Sequence, residues 1–157
     1  MNFNSYSYII DNIYVGDIFS TNCQELLNKI DCVISLVNNN IKHPNIDYLS
    51  IPIEDKTEVN IIPVCEIVYD YIEKNNNKTI LIHCLAGGSR SVSTIIYYIM
   101  KKYNKTFDDT YKFIMSKHTK VNITPNKEKN ETKIYKVPIF ATFIIGLINS
   151  LGFMGTL

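Results

Sequence analysis

A cysteine and an arginine lie close together in a glycine-containing stretch near the middle of the chain. Residues 83–91 read HCLAGGSRS, which places Cys84 six positions before Arg90. A cysteine thiolate is a strong nucleophile, and the planar guanidinium of arginine can bind two oxygens of a tetrahedral oxyanion. This combination predicts nucleophilic attack on a bound phosphate.

The backbone of the same stretch is suited to bind the anion. Gly87 and Gly88 permit dihedral angles that are closed to other residues, so successive N–H groups can point into one concavity. A helix predicted to begin at Ser91 adds the positive end of its dipole, and the same field favours the thiolate form of Cys84. The Walker phosphate loop is excluded because no lysine lies between His83 and Arg90. The predicted phosphate-binding residues are Leu85, Ala86, Gly87, Gly88, Ser89 and Arg90.

The elements around this loop must place it at the edge of a sheet. Residues 79–84 are apolar on both faces, which predicts a strand near the centre of a parallel sheet, and the turn after such a strand is where ligands bind in α/β folds. We also expect strands at 32–37 and 46–53, the second at an edge because of Pro52, and a hairpin or edge strand at 8–15. Helices are predicted at 20–30, with Ser20 or Thr21 as the N-cap, and at 61–74, 91–102 and 107–118. The predicted fold class is α/β, with a central mostly parallel sheet flanked by helices.

Composition limits the classes of protein to consider. The 157 residues are 46% hydrophobic, which is enough for one domain with a core, and the net charge of +1 gives no general attraction to nucleic acid or anionic lipid. The four cysteines form no Cys-x-x-Cys pair, so neither a zinc site nor a thioredoxin-type redox pair is indicated. No secretory signal peptide is recognisable at the N-terminus, and we expect an intracellular, cytoplasmic protein.

The stretch HCLAGGSRS resembles the His-Cys-x-x-Gly-x-x-Arg-Ser signature of cysteine-dependent protein phosphatases, and in particular the small dual-specificity group. The resemblance extends over residues 8–126, about three quarters of the chain, through IIDNIYVGDIFSTN, IDCVISLV, YLSIPIEDKTEVNI and DDTYKFIMSKHTKVNITPN. It implies the protein-tyrosine-phosphatase-like fold, phosphorylated protein substrates, and no metal or other cofactor.

The resemblance also implies residue roles. Cys84 would be the nucleophile, Arg90 the ligand of the phosphate oxygens, and Asp55 the general acid. Ser91 would stabilise the departing thiolate, and His83 would orient the nucleophile.

Several of these assignments have rivals or departures from the family pattern. The carboxylates of Asp47, Glu54 and Glu58 lie near Asp55 in sequence. Gly88 stands where the family usually has a longer side chain, so the loop is expected to be freer and the activity modest. The other cysteines are expected to be a core residue, Cys65, and two inert thiols, Cys23 and Cys32, with a disulfide to Cys84 as the alternative for either of the two.

The expected function is hydrolysis of phosphotyrosine, phosphoserine and phosphothreonine monoesters on proteins through a phosphocysteine intermediate. An RNA 5′-phosphatase and a phosphoinositide phosphatase of the same superfamily are alternatives, although no nucleic-acid partner is expected from the composition. A pseudophosphatase that only binds phosphoproteins is the alternative from a different functional class.

The chain end departs from the resemblance. We divide the sequence into a catalytic domain at 1–136 and an apolar C-terminal segment at 137–157, which contains 21 uncharged residues. This segment has the length of a membrane span, yet a domain of this type also needs a closing helix, which would lie at about 139–149. Both a membrane anchor and a closing helix remain open.

Overall fold

The computed structural model of the protein describes residues 5–56 and 59–121. These residues form a five-stranded sheet with strands β1 (Tyr6–Ile10), β2 (Ile13–Gly16), β3 (Cys32–Ser35), β4 (Asp47–Ser50) and β5 (Ile80–His83). The strand order is β1-β2-β5-β3-β4, and all neighbours except β1 and β2 are parallel. The predicted α/β fold is confirmed, with β5 at the centre and β4 at an edge.

Residues 8–15 fold as a hairpin rather than as one edge strand. Asp11 and Asn12 connect β1 to β2 with positive φ angles of 51° and 60°, which is the backbone that a two-residue hairpin turn requires and that Asn and Asp tolerate. Strand β2 then pairs with β5 in parallel, from Ile13 opposite Ile80 to Gly16 opposite His83. The end of β2 therefore lies beside the end of the central strand.

Both faces of the sheet are covered. The helices are α1 (Gln24–Leu27), α2 (Ile62–Lys74), α3 (Arg90–Tyr103) and α4 (Phe107–Lys117). Ile80 and Ile82 belong to the main core with apolar residues of α2, α3 and α4, whereas Leu81 packs with Leu26 and Val33 in a smaller core. Because successive side chains of a strand point to opposite faces, β5 is buried along its whole length.

The helix predicted at 20–30 is wrong in extent and in its cap. Residues Ile18–Asn22 form a 3₁₀ turn, and the α-helix that follows has only four residues. Asp17 caps the turn, its Oδ1 accepting from the backbone N–H of Phe19 at 2.9 Å and of Ser20 at 3.1 Å. The hydroxyls of Ser20 and Thr21 instead donate to the carbonyls of Asp17 and Ile18, so neither serves as the N-cap.

None of the helices within residues 5–56 and 59–121 is long and apolar enough to cross a bilayer. The segment 137–157 lies outside the described residues, and so does the boundary at 136.

Candidate active site

The loop 84–89 joins the C-terminal end of β5 to the N-terminus of α3, as predicted. The backbone N–H of Cys84 donates to the Gly16 carbonyl at 3.4 Å, and the N–H of Ile18 donates to the Leu85 carbonyl at 3.2 Å. On the other side, the N–H of Leu36 donates to the His83 carbonyl at 3.0 Å. The chain continuing from each neighbouring strand therefore fixes the start of the loop.

Cys84 is 1% exposed, and its sulfur has two polar neighbours. Sγ lies 3.3 Å from the backbone nitrogen of Gly87, which donates to it, and 3.3 Å from the hydroxyl oxygen of Ser91. The N-terminus of α3 points at the same place. The Gly87 N–H and the positive end of the α3 dipole are therefore placed where an anion can bind.

Arg90 connects the loop to the segment that follows β4. Arg90 is 7% exposed, and its Nη1 donates to the Ile53 carbonyl at 2.9 Å. Nε lies 3.4 Å from Oδ2 of Asp55, and within the described residues it has no partner with hydrogen-bond geometry. The guanidinium therefore keeps donor capacity for an anion.

Asp55 is the carboxylate that the structure brings to the loop. Besides its approach to Arg90, its Oδ1 accepts from the hydroxyl of Ser89 at 3.4 Å, and the side chain is 46% exposed. Of its sequence rivals, Asp47 pairs with Lys78 and Glu54 pairs with Lys56. Glu58 lies outside the described residues. Asp55 thus has both the solvent access and the proximity that a general acid needs.

His83 is a fully buried side chain whose Nδ1 contacts the Cys84 carbonyl at 3.4 Å. Burial lowers the pKa of His83 below its ordinary value, which keeps the ring neutral near pH 7. Because a carbonyl only accepts, Nδ1 carries the proton in this contact. The ring therefore supports the backbone of the nucleophile through this carbonyl.

The remaining cysteines do not line the loop. Cys32 and Cys65 are buried, Cys23 is partly exposed, and all four thiols are free. Burial raises the pKa of Cys65, consistent with an inert core thiol. Cys32 lies opposite Ile80, four residues before Cys84 along the central strand. This is about 13 Å at the rise of a strand, too far for a disulfide without rearrangement.

Sequence reasoning missed two residues that support the loop. His118, after α4, contacts the Gly87 carbonyl through Nε2 at 2.7 Å, and Asp17, after β2, pairs with Lys120. Gly87 has φ of +75°, and a Cβ there would lie 2.9 Å from the backbone of Gly16 and Asp17. The position of Asp17, just after the predicted strand at 8–15, could have indicated a cap. His118 is a single histidine after a helix, and no motif spacing identifies it.

Leu85 and Ala86 are exposed at the outer part of the loop, whereas Gly87 and Gly88 are buried. Five of the six predicted phosphate-binding residues, those at 85–89, lie between β5 and α3, and the sixth, Arg90, is the first residue of α3. No group of three or more His, Cys, Asp or Glu side chains able to hold a metal ion occurs in the described ranges 5–56 and 59–121.

Comparison with known proteins agrees with this geometry. The family model "Dual specificity phosphatase, catalytic domain" matches residues 13–132. A provisionally assigned tyrosine-protein phosphatase of Amsacta moorei entomopoxvirus is 35% identical over 86% of this chain and 94% of its own length. The human dual specificity protein phosphatase 16 is 34% identical over 75% of this chain, which spans only 18% of that longer protein.

A solved structure gives the same result for the fold. The crystal structure of DUSP15 superposes with a TM-score of 0.67 at 26% sequence identity, covering 72% of this chain and 76% of that one. Since the family model covers most of the chain and includes the loop, this protein belongs to the dual specificity phosphatase catalytic domain family.

Proposed function

We propose that the chain hydrolyses phosphate monoesters on phosphotyrosine, phosphoserine and phosphothreonine of proteins, with Cys84 as the nucleophile. One observation carries the proposal. Cys84 and Arg90 lie at the two ends of the loop that follows β5, and Asp55, from the separate segment after β4, meets this loop through Arg90 and Ser89. Family membership supports the class of reaction. The proximity of these three side chains supports the choice of residues that carry it out.

In the first step the Cys84 thiolate attacks phosphorus and the bond from phosphorus to the ester oxygen breaks. Arg90 and the backbone N–H groups of the loop bind the other three phosphate oxygens, over which the charge of the transferred group is spread in the transition state. Asp55 gives its proton to the leaving oxygen, which departs as an alcohol or a phenol. The product is a phosphocysteine.

In the second step water attacks the phosphocysteine. The Asp55 carboxylate accepts a proton from that water, and the bond from phosphorus to sulfur breaks to release inorganic phosphate. The Ser91 hydroxyl, 3.3 Å from the sulfur, donates to the thiolate that departs. Asp55 thus donates one proton in the first step and accepts one in the second, so its carboxyl group ends protonated as it began.

The surroundings of the loop support protein substrates of more than one kind. Leu85, an apolar residue that is 57% exposed, stands at a loop position where a phosphoinositide phosphatase would carry lysine for additional phosphates. No basic groove is indicated by a net charge of +1, so an RNA 5′-phosphatase is less well supported. The segments that join the elements around the loop are short, which favours a shallow pocket that accepts serine and threonine as well as tyrosine.

The test uses aryl phosphate and phosphopeptides containing phosphotyrosine or phosphothreonine. We expect turnover by the wild-type chain and none by Cys84→Ser, because an alcohol is a far weaker nucleophile than a thiolate. Phosphopeptide binding should be retained in Cys84→Ser, since the backbone and Arg90 remain. Turnover by the serine variant would contradict the mechanism, and a wild-type chain that binds without turnover would instead support a pseudophosphatase.

A further inference from the structure

His118 is a buried histidine that bridges the loop to the first strand. It is 1% exposed, Nε2 lies 2.7 Å from the Gly87 carbonyl oxygen, and Nδ1 lies 2.9 Å from the hydroxyl oxygen of Ser7. The carbonyl can only accept, so Nε2 carries the proton and Nδ1 accepts from Ser7. Burial lowers the pKa of His118, which favours this neutral ring.

The peptide that His118 contacts joins Gly87 to Gly88, two residues without side chains. No side chain of either residue therefore opposes rotation of this peptide. No described peptide bond is cis, and in a trans peptide the carbonyl and the following N–H point in opposite directions. If this peptide flipped, the Gly87 carbonyl would exchange sides with the Gly88 N–H.

From this geometry we propose that His118 is a positioning residue for phosphate binding. By holding the Gly87 carbonyl on its own side, it keeps the Gly88 N–H directed to the opposite side, where the loop encloses the phosphate. It also preserves the preceding peptide, whose Gly87 N–H donates to the Cys84 sulfur at 3.3 Å. This inference rests on the proposed function, since it assigns a role within the same site.

The chain after α4 is itself anchored beside the loop. Lys120 pairs with Asp17, and Oδ1 of Asp17 caps the 3₁₀ turn that follows β2. Gly87 packs on the backbone of Gly16 and Asp17. His118 therefore contacts the loop from a segment held to the same strand end, which restricts how far its ring can move.

The experiment compares three variants, each made in the Cys84→Ser background so that binding is read without turnover. His118→Phe keeps a ring but removes the donor, and His118→Gln keeps an amide N–H that can reach the carbonyl. His43→Phe is the matched control, because His43 also contacts a backbone carbonyl, that of Thr21 at 2.9 Å, outside the loop. Inorganic phosphate binding is measured by calorimetry, and folding by circular dichroism.

We expect His118→Phe to weaken phosphate binding by at least tenfold, whereas His118→Gln and His43→Phe stay within about threefold of the parent. With an intact Cys84, His118→Phe should also slow alkylation of Cys84 by iodoacetate at neutral pH, because the Gly87 N–H no longer supports the thiolate. Phosphate binding that is unchanged in folded His118→Phe, or lost equally in His118→Gln, would overturn the role.

A second measurement does not depend on any variant folding. Nitrogen-15 NMR of the wild-type imidazoles should show His118 protonated at Nε2, and addition of inorganic phosphate should shift the Gly88 amide resonance. An Nδ1-protonated ring, or a Gly88 amide that ignores phosphate, contradicts the proposal. Failure of the proposed function would appear separately, as absent aryl phosphate turnover in a wild-type chain whose Gly88 amide still responds.

Discussion

The two adjacent glycines of the loop differ in what their backbone requires. Gly87 has φ of +75° and lies against the chain at Gly16 and Asp17, whereas Gly88 does not have a positive φ. We predict that Gly87→Ala lowers kcat/KM by about 100-fold or more, because the added Cβ displaces the N–H groups that hold the thiolate and the phosphate.

Gly88→Ala is the matched control for that change. An alanine there is expected to keep the activity or raise it slightly, since it reduces the freedom of the loop without a forbidden φ. Both variants are assayed on one aryl phosphate. Equal loss in the two would show that the loop tolerates no side chain at either position and would contradict the distinction drawn from their φ angles.

The contribution of Asp55 to the rate should depend on the leaving group of the substrate, unlike the contributions of Cys84 and Arg90. Asp55→Ala should lower the rate by ~10²–10⁴ for alkyl phosphates, whose alkoxides need a proton, and by less for aryl phosphates with acidic phenols. The measurement is kcat for a series of substrates with different leaving groups. Glu54→Ala is the control, because Glu54 pairs with Lys56. A loss that is the same for all leaving groups would assign the acid to another residue.

At the scale of the elements, Arg90 ties the start of α3 to the segment after β4. Its Nη1 donates to the Ile53 carbonyl while its Nε lies beside Asp55, so in the proposed mechanism one side chain both positions the segment of the acid and binds phosphate. We predict that Arg90→Lys retains less than ~10% of the activity, because a single ammonium cannot reproduce two separated donors on a planar group. The assay is steady-state turnover, with the KM for phosphopeptide as a second readout. Activity near that of the wild type would contradict this geometry.

The elements that position the site could be predicted because their signals are local. The apolar run at 79–84 placed β5 at the centre, and Pro52 marked the edge strand β4, since both depend on residue types within a few positions. The start of α1 was misassigned because two hydroxyls bond back to the carbonyls of their own turn while Asp17 caps it. The contact of His118 with Gly87 spans 31 positions, and no local pattern specifies a contact of that range.

Two buried histidines connect the site to the stability of the whole molecule. Burial lowers the pKa of both His83 and His118, and for His118 Lys120 also lowers it while the Gly87 carbonyl and Asp17 raise it. Below the ordinary histidine value of 6.5 the unfolded chain binds protons that the folded chain does not, so the free energy of unfolding must fall as pH falls. Each histidine contributes at most about 1.4 kcal/mol per pH unit to this slope.

We therefore predict that urea unfolding shows a loss of stability between pH 7 and pH 5 that is smaller in His83→Gln and in His118→Gln than in the wild type. His43→Gln, which removes a partly exposed histidine, serves as the control and should follow the wild-type curve more closely. Parallel curves for all four chains would show that neither buried ring titrates differently in the folded and unfolded states.

An open apolar groove on the folded domain bears on the two alternatives for the C-terminal segment. It has a volume of about 280 Å³ and is lined mostly by apolar side chains, together with three polar residues: Ile10, Ile99, Tyr103, Phe113, Lys105, Asp109 and Thr110. The groove lies against α4, the last described helix, and the chain continues to 157 with an uncharged run at 137–157. An apolar groove on the domain and an apolar segment in the same chain favour the closing helix, since both surfaces would leave water together.

We predict that deletion of 137–157 lowers the midpoint of thermal unfolding by about 5 °C or more and increases binding of a hydrophobic dye, because the groove loses its cover. Phe113→Ser should also lower this midpoint in the full chain. In the chain that lacks 137–157, the same substitution should lower the midpoint by less. If 137–157 is instead a membrane anchor, the opposite results are expected. The deleted chain would then be as stable and active as the full chain, and only the full chain would float with phosphatidylcholine vesicles on a density gradient. Flotation together with unchanged stability would therefore reject the closing helix, since a segment buried in the groove cannot also span a bilayer.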